Sequence, residues 1–398
     1  MAAYLDEVPF SGIIRIRDMM YSVANPYRLD QGDVSFDSPD SVKNAMTRAI
    51  AENKTHYLQT TGVPRLRELL AAKLREKNRT PIDDPEHILV TNGGIHGIYL
   101  ACRALLEPGD EVLVPDPLWP AAAGNVLAAR ATPVSWPLQD TANGWRYDID
   151  GLAARITPRT RAIYLNSPHN PTGAVLSRDD TVRIAGIAQA RQLWVLSDEA
   201  YEDVLYAGEH VSIASLPGMY ERTIPMHTFS KSYAMTGLRL GYVAIQDPII
   251  RDRAKKILFY TASNISSVVQ FGGIGALEGP QDSIEAFRVE LQARRDLFYD
   301  GIANLGGVLS GTPPSGAFYA FLKVDPAWKD GAPETKSISW RMTEYLIKNG
   351  RIGSVPGVDF GANGEGYVRF CFARDRQELT GALESMKALF SPSFAPRR

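Results

Sequence analysis

From about residue 85 to residue 245 the chain keeps returning to one pattern, and few folds can satisfy it. A short apolar run ends in a turn of glycine, proline, asparagine or aspartate, and helical stretches intervene. His87–Val90 leads into Thr91-Asn92-Gly93-Gly94, and Ile95, Ile98, Tyr99, Cys102, Leu105 and Leu106 then recur at helical spacing. Glu111–Val114 runs into Pro115-Asp116-Pro117-Leu118-Trp119-Pro120, and Arg161–Asn166 into Ser167-Pro168-His169-Asn170-Pro171-Thr172-Gly173. Trp194–Ser197 is followed by Asp198-Glu199-Ala200-Tyr201-Glu202-Asp203, and Thr223–His227 by Thr228-Phe229-Ser230-Lys231. Leu240–Ile245 is the last of these runs. Strands alternating with helices predict an α/β domain with a mainly parallel sheet. Such sheets bind ligands beyond the carboxyl ends of their strands. The turns are therefore where chemistry is expected.

Four turns carry residues suited to one cofactor. Lys231 sits among small and apolar neighbours, and burial would disfavour its ammonium and free the amine for covalent work. Arg239, eight residues on between Leu238 and Leu240, offers a permanently charged fork suited to a phosphate. A Schiff-base lysine beside a phosphate anchor points to pyridoxal 5'-phosphate. The strand–glycine–helix turn at Gly93-Gly94 would add free N–H groups of Gly94 and Ile95 to the phosphate cup. It is neither a Walker loop nor G-x-G-x-x-G. Asp198, ending a strand, could hold a pyridine nitrogen protonated, and Tyr201 could hydrogen-bond the cofactor's phenolic oxygen. Trp119 offers a flat face for a cationic ring. Four carboxylates within Asp198–Asp203 also invite a metal reading, but no histidine stands at ligand spacing, and no metal is expected.

Thr228 to Gly241 resembles the lysine signature of class I aminotransferases, with a small residue three before the lysine and an arginine eight after. Thr228 stands where that family usually has serine or glycine, and it keeps the hydroxyl for a phosphate contact. Asn170-Pro171-Thr172-Gly173 resembles the family's Asn-Pro-Thr-Gly motif, which implies that Asn170 donates to the phenolic oxygen and helps to fix the substrate carboxylate. A cis Asn170–Pro171 bond is expected there. Gly366-Tyr367-Val368-Arg369-Phe370 is similar to the segment whose arginine grips the substrate α-carboxylate, a task for Arg369. Leu29–Pro39 resembles the early segment whose glycine backbone lies near that carboxylate, here Gly32. His56–Arg67 is similar to the stretch whose tyrosine, here Tyr57, reaches the phosphate of a neighbouring subunit, which implies a homodimer. Five motifs fall in the family's order and span nearly the whole chain. The resemblance implies a fold type I architecture: a large cofactor domain over residues 41–280, its sheet flanked by helices, and a smaller α+β domain made of residues 1–40 with 281–398. It also implies transamination between an L-amino acid and a 2-oxo acid such as 2-oxoglutarate, ping-pong, with aspartate as the leading donor. The same motifs serve other enzymes of this scaffold, including carbon–sulfur lyases and cyclopropane-forming synthases. They also serve non-enzymatic cofactor-binding modules, although residues 1–40 hold no helix-turn-helix pattern.

Composition bounds the rest. The 398 residues are 44% hydrophobic, as in ordinary globular proteins, and the net charge of −2 gives no electrostatic case for nucleic acid or a membrane surface. Met1–Glu7 lacks a basic-then-apolar leader pattern, so a cytoplasmic protein is expected. Cys102 and Cys371 read as small core residues. Residues 1–40 are expected to be irregular, Ser41 is expected to cap the first helix, and Val368, Phe370 and Phe372 are expected to share one strand face with Arg369 on the other.

Overall fold

The computed structural model describes residues 5–6, 8–331 and 336–391. Most of the stretch read for a leader, residues 1–4 and 7, lies outside them. The strands are β1 (Ile88–Thr91), β2 (Glu111–Asp116), β3 (Thr132–Pro137), β4 (Gln139–Thr141), β5 (Gly144–Arg146), β6 (Thr160–Asn166), β7 (Trp194–Asp198), β8 (Thr223–Thr228), β9 (Gly241–Ala244), β10 (Leu309–Ser310), β11 (Tyr319–Val324), β12 (Val355–Pro356) and β13 (Tyr367–Cys371). Seven form the central sheet, in the order β1-β9-β8-β7-β6-β2-β3. β3, β2, β6, β7 and β8 run parallel, and β9 runs against both β8 and β1. β4 and β5 make a separate ribbon.

Both faces of the central sheet are buried except along the edge strand β3, and alternation along each strand decides which core a residue joins. Val112, Val114, Ala162, Tyr164 and Leu196 enter one core with the helices Pro64–Glu76, Gly93–Leu105 and Pro248–Ala262. Leu113, Ile163, Leu165 and Val195 enter another with Ile149–Ala154 and Arg178–Ala190. This is why the strands read as continuous apolar runs. A second sheet, antiparallel in the order β10-β11-β13-β12, packs under the long helix Asp282–Ala303 and the helices Ile338–Gly350 and Arg376–Phe390.

Two local expectations are corrected. Residues 1–40 are not all irregular: Gly12–Tyr21 is a helix, and Ser11 Oγ accepts its first-turn N–H from Ile13. The next helix is Asp40–Ala51, with Pro39 at its N-cap position and no side-chain cap. Proline fits a helix start because its missing N–H is one the first turn leaves unpaired anyway. In β13, Val368 and Phe370 enter the core of the small sheet as expected, and Arg369 between them is buried as well.

Candidate active site

β6, β7 and β8 end at Asn166, Asp198 and Thr228 on one edge of the sheet. The turns that follow enclose a cavity of about 290 Å³. Eleven of the twelve side chains and backbones singled out in the sequence line it: Gly32, Gly94, Ile95, Trp119, Asn170, Asp198, Tyr201, Thr228, Lys231, Arg239 and Arg369. Tyr57 does not. It is 89% exposed and borders a separate surface hollow with His56, Asn264 and Ser267.

Lys231 Nζ donates to the carbonyl of Gly32 at 2.7 Å and lies 5.4 Å from the centre of the Phe318 ring. Desolvation pushes its amine down to about 8, and Arg239 and Arg369 push the same way against Asp33. The amine thus stays mostly charged at neutral pH, but it gives up its proton far more readily than an exposed lysine. Asp198 moves the other way. Burial raises its carboxyl to about 6, opposed by the O–H that Tyr164 donates to Oδ2 at 2.6 Å and by the N–H of Ala200 on Oδ1 at 3.2 Å.

One end of the cavity is built for an anion. Gly93 (φ +72°) opens the helix Gly93–Leu105, so the N–H groups of the first turn face outward with no intrahelical partner. Arg239 (φ +61°) folds back with Nη1 on the carbonyl of Thr236 at 2.7 Å, and its guanidinium lies so near Gly93 that a Cβ there would meet Nη2 at 2.2 Å. The Thr228 hydroxyl lies 2.8 Å from Ser230 Oγ and accepts the N–H of Ser230. Amides, two hydroxyls and a guanidinium make the donor set that phosphate oxygens need.

At the other end Arg369, 2% exposed, is held between the rings of Tyr319 and Phe360, 4.5 and 4.9 Å from their centres. Nη1 donates to Asn170 Oδ1 at 3.1 Å and Nη2 to the carbonyl of Asp30 at 2.8 Å, while Nε has no protein partner. A buried, partly unsatisfied guanidinium facing a cavity is a carboxylate receptor. Asn170 precedes Pro171 through a cis bond, and its N–H is held by Asn166 Oδ1 at 2.8 Å. The Tyr201 hydroxyl pairs with that of Tyr319 at 2.9 Å. A cavity with a desolvated amine, a buried carboxyl and an anion cup fits pyridoxal phosphate.

Sequence reasoning missed Asn166, Tyr319, Ser230 and Ile13, which also line the cavity. Asn166 was visible as a polar residue ending an apolar strand. Tyr319 and Ile13 had no local signal, because distant pairing and an unforeseen helix bring them in. The histidine premise of the metal reading is also corrected. His210 reaches Glu199 at 2.8 Å, and Glu199, Glu202 and His210 offer atoms within 4.8 Å of one another. Those carboxylates already receive Lys73, Asn78, Ser197 and Ser212, so their charge is met without an ion.

Known proteins resemble this chain in sequence and fold. Residues 24–386 match the family model for aminotransferase class I and II. The chain is 36% identical to an aspartate aminotransferase of Pyrococcus abyssi, over 97% of each. It is 35% identical to the aromatic-amino-acid aminotransferase 2 of Thermococcus litoralis, over 96% of each. The aspartate aminotransferase of Thermus thermophilus, solved with maleate, superposes with a TM-score of 0.89 at 32% identity, covering 98% of this chain and 99% of that one.

Proposed function

The chain belongs to the class I and II aminotransferases, pyridoxal-phosphate enzymes that pass an amino group between amino acids and 2-oxo acids, and from that premise we propose which residues act and on what. Bound pyridoxal phosphate supplies an aldehyde that exchanges amines and a ring that accepts the electron pair released at the substrate α-carbon. Arg239, Thr228, Ser230 and the N–H groups of Gly94 and Ile95 would hold its phosphate. Trp119 would offer its ring a stacking face, and Asn170 and Tyr201 would donate to its phenolic oxygen. Asp198 would keep a proton on the ring nitrogen. Lys231 would hold the aldehyde covalently, and its Nζ, when free, would take the substrate α-proton as general base. Arg369 grips the α-carboxylate, with the backbone at Gly32 beside it.

The observation that carries this reading is the convergence of Lys231, Asp198, Arg239 and Arg369 on one cavity. A donor panel with 2-oxoglutarate tests it. Without the oxo acid, each donor should give one turnover per site and stop, and Lys231→Ala should bind cofactor yet give none. Repeated turnover without an oxo acid would mean a lyase.

Aspartate is the leading donor, supported by the aspartate aminotransferases among the relatives. A neutral or aromatic donor is the second reading, favoured by the apolar wall of Ile13, Ile95, Ile98 and Trp119. The exposure of Tyr57 supports a homodimer in which it serves the neighbouring site. We assign residues 41–280 to the large domain and residues 1–40 with 281–398 to the small one, supported by separate apolar cores. A cytoplasmic location agrees with two buried, unpaired cysteines. Among the described residues no helix is long and apolar enough to cross a membrane.

A further inference from the structure

We propose that Tyr164 is a positioning residue for Asp198: its O–H fixes the carboxylate plane and decides on which side of the carboxylate–pyridine pair the proton rests. This rests on the assignment of Asp198 to the ring nitrogen. β6 and β7 run parallel with Tyr164 opposite Leu196 and Asn166 opposite Asp198. Period-two alternation therefore puts Tyr164, Asn166, Leu196 and Asp198 on one face of the sheet. From there the Tyr164 hydroxyl reaches Asp198 Oδ2 at 2.6 Å, the length expected of a hydroxyl donating to a charged oxygen. The N–H of Ala200 holds Oδ1, and the Asn166 amide holds the backbone carbonyl of Asp198 at 3.0 Å. Tyr164 is thus the one side-chain donor to this carboxylate among the described residues.

The surroundings make that donor decisive. Burial and the neighbouring charge of Glu199 both disfavour the Asp198 carboxylate, and Lys231 favours it only weakly. Tyr147 and Tyr201, the other titratable groups facing it, are buried phenols held high and so stay neutral. Tyr164 is itself buried, and burial beside Asp198 keeps its phenol far above the usual range, so it remains a donor at every working pH. Without it, the carboxylate would hold a proton more tightly and draw it off the ring nitrogen.

The test is Tyr164→Phe in the cofactor-loaded enzyme reconstituted with ring-¹⁵N pyridoxal phosphate. The ¹⁵N shift should move from the pyridinium towards the neutral pyridine value, with the proton balance changed about tenfold, one pKa unit. The rate constant kcat should fall by about the same factor, while the donor KM stays within about twofold, because the electron sink and not substrate binding is weakened. An unchanged ¹⁵N shift overturns the proposal, even if stability drops. If Tyr164→Phe fails to load, 3-fluorotyrosine at position 164, a stronger donor of nearly the same shape, decides: the ¹⁵N shift should move further towards the pyridinium value, and an unaltered shift overturns the proposal. Asp198→Asn is run alongside. If it leaves the ¹⁵N signal at the parent's position, the role given to Asp198 has failed, not that of Tyr164 alone.

Discussion

Replacing Arg369 by lysine keeps the charge and removes the fork, and the structure says what that should cost. A guanidinium has five N–H groups in a fixed plane. Two are committed, to Asn170 Oδ1 and the carbonyl of Asp30. Nε has no protein partner, so its N–H and the second proton on each Nη remain for a ligand. A carboxylate can take two of these in parallel, whereas a lysine offers a point charge. Losing one charge-assisted bond is worth about 1.5–3 kcal/mol. That converts to roughly a 10- to 150-fold fall in kcat/KM for an amino acid. The assay is the half-reaction followed by cofactor absorbance in a single turnover, with cofactor affinity measured separately and expected to be unchanged. The control substrate is the corresponding amine without its α-carboxylate. It reacts slowly, but Arg369→Lys should not slow it further. A parallel loss for the amino acid and the amine would refute the reasoning, because Arg369 would then be holding the active-site wall rather than the substrate.

Two further outcomes follow from the anion cup and the lysine. Gly93→Ala puts a Cβ 2.2 Å from Arg239 Nη2 at a φ of +72°, while a Cβ at Gly94 would meet only Thr228 Cβ at 3.6 Å. Gly93→Ala should therefore weaken cofactor binding about tenfold or more, and Gly94→Ala much less; equal effects in equilibrium dialysis would count against the cup. In the cofactor-free protein, burial lowers Lys231 to about 8 from an ordinary value of 10.5. Below pH 8 it is charged in both folded and unfolded chains, and its burial is at its most costly. Between 8 and 10.5 the unfolded chain binds more protons, so folded stability rises with pH. Lys231→Met should accordingly be more stable than the parent at pH 7, with the gap closing towards pH 10. A gap in thermal unfolding that did not vary with pH would rule this out.

Much of the site was legible because its residues end strands. Asp198 and Thr228 are the last residues of their strands, and Asn170 lies in the turn after another, so an apolar run followed by a polar residue marks the binding edge. Arg369 was legible only through resemblance. Nothing local says that both faces of β13 are covered, and an arginine in a strand is usually solvated. Tyr319 was illegible for a related reason. Its contact with Arg369 depends on β11 pairing with β13 in the register Tyr319 to Cys371, across some fifty residues of chain. Ile13 lines the cavity because a helix forms at Gly12–Tyr21, where an opening glycine, three β-branched isoleucines and nearby turn signals hid the pattern.

The phosphate cup shows most clearly what local sequence cannot carry. Its halves are the Gly93 turn and the Lys231–Arg239 loop, more than 130 residues apart. Each alone is an ordinary turn. They meet because β9 is the one reversed strand, inserted between β8 and β1 with Gly241 opposite Thr91. The fit is close: a Cβ on Gly241 would lie 2.7 Å from the carbonyl carbon of Gly93 and 2.8 Å from the carbonyl oxygen of His227. Reversal brings the loop that leaves β8 back past the end of β1, so Arg239 arrives beside the free N–H groups of the helix Gly93–Leu105. Had β9 run parallel, a crossover would have carried the arginine to the opposite edge of the sheet. The lysine would still have had its amine and no phosphate anchor beside it.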